Sequence, residues 1–297
     1  MSSPWLQIKV ATDSEHAPLV ESALAEAGAQ AVSLEDAGDE ALLEPLPGAT
    51  PLWQAVRVVG LFDADIARES IQAALARVDG GGRLLETEFE QLPDQDWSRV
   101  WLDDWQPLCF GRRLWVVPRT EEVPADGAVV VRLDPGLAFG TGTHVTTALC
   151  LEWLDAHGVA GEDVLDYGCG SGVLAIAALC LGARAATATD IDGQALEATR
   201  DNAEVNGVAE RLTAVTVDAV AAHCYDVILA NILARPLVEL APYLAAHQQP
   251  GGRLVLAGLL ADQADEVCAA YEPAYSVEIG AEREGWVRLE GVRRARE

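Results

Sequence analysis

Between Trp5 and Leu92 the apolar positions change period repeatedly, from two to about 3.6 and back. "WLQIKVA" (Trp5–Ala11) alternates like a strand, and "APLVESALAEAGA" (Ala17–Ala29) has helical spacing that ends near Gly28. "QAVSLED" reads as a second strand, and the Pro- and Gly-bearing "GDEALLEPLPGATP" as a loop. "WQAVRVVGLF" is then a strand, "DADIARESIQAALARV" a helix with Asp63 or Asp65 as its cap, and "RLLETEFEQL" a strand. This order, β-α-β-β-α-β, predicts a ferredoxin-like α+β domain over residues 1–92. Such a module is a binding platform and carries no chemistry by itself.

Trp97, Trp101 and Trp105 follow at four-residue spacing, which on a helix makes one stripe packed between domains. Residues 93–118 are therefore expected to be a connector helix and linker. Beyond them strands and helices alternate: "AVVVRLD", "DVLDYG", "RAATATDID", "RLTAVTV", "YDVILANIL" and "GRLVLAGLL" are strands separated by helical runs. Repeated βα units predict an α/β doubly wound parallel sheet over residues 119–297. "YSVEIGAER" and "GWVRLEGVRR" close it with an antiparallel hairpin.

The strand "VLDYG" feeds the helix "GVLAIAALC" through Gly168, Gly170 and Gly172, a first βα turn at the end of a sheet where doubly wound folds bind ligands. Asp190 ends the next strand, where a carboxylate accepts both hydroxyls of a ribose. The G-x-G-x-G spacing differs from the G-x-G-x-x-G of dinucleotide sites, which disfavours a dehydrogenase. Asp166, two residues before the first glycine, suits a cationic ligand such as a sulfonium amino acid better than a pyrophosphate. Together these residues point to S-adenosylmethionine. "DPGLAFGTGTHVTTALCLEWL" (Asp134–Leu154) is a second glycine-rich loop entering a helix, and "LANIL" (Leu229–Leu233) ends the fourth strand of the sheet. Thr143, Thr146 or Thr147 could cap that helix, and Asn231 could either form a turn before Pro236 or present its oxygens to an incoming amine.

Composition narrows the field. Half the residues are hydrophobic and the net charge is −27, which disfavours direct nucleic-acid binding and favours basic partners. Lys9 is the single lysine among 20 basic residues, which with abundant Ala reads as biased codon usage alongside an acidic, soluble surface. Six cysteines lie scattered with no C-x-x-C pair, and no metal-ligand cluster stands out. No secretory signal and no apolar run of membrane-spanning length is evident, so the expected location is cytoplasmic, with no membrane association.

"DPGLAFGTGTH", "DYGCGSG", "ATDID" and "ANILARPL" together resemble the PrmA family, bacterial methyltransferases that modify ribosomal large-subunit protein eleven. The resemblance extends through "DWSRVWLDDWQPLCFGRRLWVVP" and so spans nearly the whole chain. It implies an N-terminal ferredoxin-like substrate-recognition domain, a connector helix and a class I methyltransferase domain that uses S-adenosylmethionine. Carried over by position, the family's cofactor contacts fall on Thr147, Gly168, Asp190 and Asn231. Asp166 and Gly170 join them from the loop chemistry, Asn231 is the expected aligner of the amine, and Phe139 with "GTGTH" is expected to cover the site. Family members usually have Pro where this chain has Val145, and they keep no clear acid at Asp218. His144 could be a base or merely bond within its loop. The implied substrate is a basic ribosomal protein, methylated at lysine side chains and its N-terminal amine. Alternatives are another protein or small-molecule amine as acceptor, a glutamine acceptor, or a non-catalytic binding module. Glutamine-modifying relatives place Pro-Pro-Tyr where this chain has Ile232 and Leu233, which disfavours a planar amide.

Overall fold

A computed structural model describes residues 5–38, 52–78, 86–92, 106–119, 121, 127–133 and 144–295. The chain forms two compact units, residues 1–100 and 101–297. In the first, β1 (Trp5–Asp13), β2 (Ala31–Asp36), β3 (Ala55–Asp63) and β4 (Glu86–Leu92) form an antiparallel sheet in the order β2-β3-β1-β4. With α1 (Ala17–Glu26) and α2 (Arg68–Val78) this is the ferredoxin-like arrangement. The period of two in β1 sends Leu6, Ile8 and Val10 to one face, where they meet Val20 and Leu24 of α1 and Ile71 and Leu75 of α2. Asp63 ends β3 and Asp65 stands in the turn after it, so neither caps α2, which begins at Arg68.

The second unit is built on a seven-stranded sheet. Its strands are β8 (Asp163–Tyr167), β9 (Ala185–Asp190), β10 (Leu212–Thr216), β11 (Tyr225–Asn231), β12 (Gln248–Leu260), β13 (Tyr275–Arg283) and β14 (Trp286–Arg293). The order is β10-β9-β8-β11-β12-β14-β13, parallel from β10 to β12, with β14 inserted antiparallel between β12 and β13. Successive residues of the central strands bury on opposite sides. Val164, Val227, Leu229 and Val255 pack toward α3 (Val145–His157), α4 (Val173–Cys180) and α5 (Gly193–Val205). Leu165, Ile228, Leu254 and Leu256 pack toward α6 (Ala234–Ala246) and α7 (Ala264–Tyr271). This is a parallel sheet covered on both faces, as the near-continuous apolar strands require.

Two sequence expectations change. The tryptophan stripe, Trp97 to Trp105, lies outside the described residues, but the end of the stretch read as connector carries two strands, β5 (Leu108–Phe110) and β6 (Leu114–Pro118). They pair with β7 (Val129–Leu133) in a separate sheet of order β5-β6-β7, so "AVVVRLD" does not enter the main sheet. The reason is burial: Phe110, Leu114, Val116, Val131 and Leu133 pack against the same cluster as α3 and α4. Asp155 of α3 fixes the hairpin, accepting the Arg112 amide at 2.6 Å and pairing with Arg113 at 3.3 Å. Among the described residues no helix is long and apolar enough to cross a membrane.

Ile8 is fully buried at the centre of the first unit, whereas Leu19 on α1 is 54% exposed. Ile8→Ala is expected to cost about 2–5 kcal/mol in urea unfolding. Leu19→Ala should cost less than about 0.5 kcal/mol.

Candidate active site

At the C-terminal ends of the parallel strands, β8 hands over to α4 through Gly168–Gly172. Gly168 sits at φ +78°, and a methyl there would run into the side chain of Ile232. Gly172, also at φ +78°, caps α4, and a methyl would meet Thr199. Both positions thus need glycine for conformation and for space.

The turn is held by its neighbours. The Thr189 carbonyl, at the end of β9, accepts from the amides of Gly168 at 2.8 Å and Cys169 at 3.1 Å. Asp190 accepts from the Gly170 amide at 3.0 Å through one oxygen and from the Asp192 amide at 3.0 Å through the other. From α5, Thr199 Oγ1 donates to the Gly170 carbonyl and Asn202 Nδ2 to the Ser171 carbonyl, each at 3.0 Å. Cys169 is buried beneath this turn. Desolvation first, and the nearby Asp166 second, push its thiol up to about 12, so it is an inert packing residue.

A mainly apolar cavity of about 630 Å³ opens above the turn. Of the residues expected from sequence, Gly168, Gly170, Asp190 and Asn231 line it. Thr147 stands just behind the wall: it is buried, and its Oγ1 accepts a hydrogen bond from Asn231 Nδ2 at 3.2 Å. That bond takes one Nδ2 hydrogen of Asn231, which itself lines the cavity. The segment after Asn231 is pinned by the Ile232 amide donating to Ala257 at 3.1 Å, and Gly258, at φ +88°, leaves room for the Ile232 backbone. Phe139 and most of the second glycine-rich loop lie outside the described residues.

Asp166 does not reach the cavity. It is fully buried under the turn, and its Oδ2 accepts from the Ala175 amide in the first turn of α4 at 3.0 Å, while Oδ1 has no hydrogen-bond partner among the described residues. His144 is the N-cap of α3, accepting from the Thr146 amide at 3.4 Å, and its ring also lines the cavity. With that cap in place, Val145 starts α3, a position that would also suit Pro. Asp218 is exposed in the turn after β10, while its neighbour Val217 borders the cavity.

Several lining residues escaped the sequence reading. Ile191 is 89% exposed, an unusual place for isoleucine, and its position directly after Asp190 was an available signal. Gly258 within a strand signals a bulge, and the β12–β14 register does shift between Leu256 and Leu259. Trp286 reaches the cavity from β14, and Leu240 and Glu239 from α6, with nothing in the sequence to announce them.

Burial raises the Asp166 carboxyl from 3.8 to about 7 against the opposing Ala175 hydrogen bond, with the nearby Asp190 adding to the rise. A carboxyl raised on folding contributes stability that is full below its unfolded pKa and is lost as pH climbs through the folded one. Asp166→Asn, followed by chemical denaturation, should therefore gain stability relative to wild type as pH rises from 3.8 to about 7. A constant difference across that window would contradict this.

Comparison with known proteins agrees with the geometry. The family model for ribosomal protein L11 methyltransferase (PrmA) matches residues 4–294. The chain is 53% identical over 292 residues to the ribosomal protein L11 methyltransferase of Azotobacter vinelandii, covering 98% of this chain and 100% of that one. It is also 53% identical over 293 residues to that of Pseudomonas aeruginosa strain LESB58, covering 98% and 99%. Among solved structures, the ribosomal protein L11 methylase from Lactobacillus delbrueckii subsp. bulgaricus is similar at a TM-score of 0.59 and 32% identity, covering 64% of this chain and all of that one. With the G-x-G-x-G turn, Asp190 and Asn231 gathered at one cavity, these matches make the chain a member of the ribosomal protein L11 methyltransferase (PrmA) family.

Proposed function

We propose that the chain transfers methyl groups from S-adenosylmethionine to lysine side-chain and N-terminal amines of ribosomal large-subunit protein eleven. The observation that carries this reading is the juxtaposition of Asn231, fixed by Thr147, with Gly168 and Asp190 around one cavity. The residues present fit the cofactor. A carboxylate offers about four lone-pair sites, and the two amides held by Asp190 leave room for two ribose hydroxyls. The space above Gly168 exists because no Cβ fills it, Ile191 and Val217 offer apolar surface, and the cavity volume is that of a small-molecule site.

When bound, the cofactor supplies an already activated methyl group on a sulfonium, which leaves the protein the work of proximity and alignment. An amine must be neutral to attack, and a lysine in water, with a pKa of about 10.4, is mostly protonated. Ile232, Leu233, Pro236 and Leu240 give the cavity an apolar side that desolvates an entering ammonium and lowers its pKa. The proton leaves to water. Asn231 then accepts a hydrogen bond from the neutral amine and directs its lone pair. Ile232 and Leu233 suit an alkyl stem better than a planar amide. Residues 1–92 are assigned to substrate recognition, and the net charge of −27 steers a basic ribosomal protein toward the enzyme in the cytoplasm, where ribosomal proteins are found.

Incubation with radiolabelled S-adenosylmethionine and purified large-subunit proteins should label one small basic protein at lysines or its terminal amine. Label on a different acceptor would move the substrate assignment while leaving the reaction. Asn231→Ala is expected to lower kcat about a hundredfold. A loss no greater than that of a distant surface change would remove its role. Asp190→Ala should weaken cofactor binding about tenfold in calorimetry. The association rate with the protein substrate should fall as salt is raised.

A further inference from the structure

Strand β14 turns Trp286, Arg288 and Glu290 toward α3, while Val287 and Leu289 between them pack on the opposite side of the sheet. The three alternate residues meet the helix at three successive points. The Trp286 ring lies edge-to-face with His144, centroids 5.0 Å apart, at the cavity. Arg288 is 7% exposed, and its Nη1 donates to the Leu149 carbonyl at 2.6 Å. Its Nη2 donates to Glu290 Oε1 at 2.6 Å, and Glu290 Oε2 accepts from Trp153 Nε1 at 3.1 Å. The strand thus grips α3 along its length.

A buried ion pair is a weak source of stability, since apolar side chains of similar volume often do as well or better. What the guanidinium adds is direction: it seats one carbonyl in the middle of α3 at a fixed point. Two residues earlier on that helix is Thr147, whose hydroxyl holds Asn231 at 3.2 Å. Sliding α3 by one residue's rise, about 1.5 Å, would carry that hydroxyl out of hydrogen-bonding range. We propose that Arg288, braced by Glu290 and Trp153, is a positioning residue for methyl transfer, setting α3 so that Thr147 orients the Asn231 amide. The inference rests on the reading of Asn231 given above.

The strand beside it supplies a second handle. Gly280 lies where the β13–β14 register shifts, and a methyl there would occupy the space of the Glu290 carboxylate. Gly280→Ala therefore displaces the brace without deleting a charged group.

The test compares Arg288→Lys, Arg288→Met and Gly280→Ala with wild type below their unfolding temperatures, with circular dichroism reporting the fold. In Arg288→Met and Gly280→Ala, kcat should fall about tenfold, and by less in Arg288→Lys. Acceptor KM should stay within about twofold and the calorimetric Kd for S-adenosylhomocysteine within about threefold, since Asn231 is turned rather than removed and Asp190, the glycine turn and the apolar wall are left in place. Placed on Asn231→Ala, Arg288→Met or Gly280→Ala should cause no further loss of kcat. Unchanged kcat in the folded variants, or losses that multiply with that of Asn231→Ala, would overturn the relay. If Arg288→Met does not fold, Gly280→Ala carries the test. Should Asn231→Ala itself leave kcat intact, the reading of Asn231 fails and the relay falls with it. A loss in Asn231→Ala with none in the Arg288 and Gly280 variants removes the relay alone.

Discussion

The Thr189 carbonyl receives two consecutive amides, from Gly168 and Cys169, and the rest of the site depends on that contact. It stops β8 level with the end of β9 and forces the chain into a tight turn with positive φ before α4 begins. Asp190, the next residue along, takes the Gly170 amide, so one strand end fixes both the shape of the turn and the carboxylate beside it. The floor of the cavity is therefore shaped mainly by main chain. A side-chain contact joins it where Asn231 meets Thr147.

Charge is distributed in keeping with this. Asp166 is driven toward its neutral form under the turn by burial, while Asp190 faces the cavity and is satisfied by two amides. Two acids of the same small region thus differ in role because they differ in depth and in donors. The rest of the cavity is mostly aliphatic and aromatic, with Ile191 and Leu233 left largely open at its edge. Apolar surface of this kind is held in place by the fold and signals a ligand that covers it.

Much of this was readable from residues alone, and the failures have physical causes. The ferredoxin-like order and the βα alternation come from side-chain periods, which local chain geometry imposes. Gly168, Gly170 and Asp190 stand out because glycine and acid at strand ends are chemically conspicuous, whereas Asn231, which fits a turn equally well, is singled out only by the family resemblance; all four line the cavity. Strands β5 and β6 were missed because three and five residues are too few for a period of two to stand out beside a tryptophan stripe. The pairing of β7 was misjudged because periodicity reports a strand without naming its neighbour. Asp166 was recognised as significant, but depth is a property of the packed molecule, and only the structure puts it beneath the turn. Trp286 was invisible for a related reason: it joins the cavity through the order of strands in the sheet.

That strand order has a temporal side. Of the described cavity residues Trp286 is made last, on a strand that lies between β12 and β13 in the sheet. During synthesis the glycine turn and Asn231 leave the ribosome well before it, but α3 has no Arg288 to grip it and one wall of the cavity is open. The glycine turn, Asp190 and Asn231 are thus all synthesised before the strand that walls the cavity beside them. The cavity is therefore complete only in a chain that carries its final hairpin.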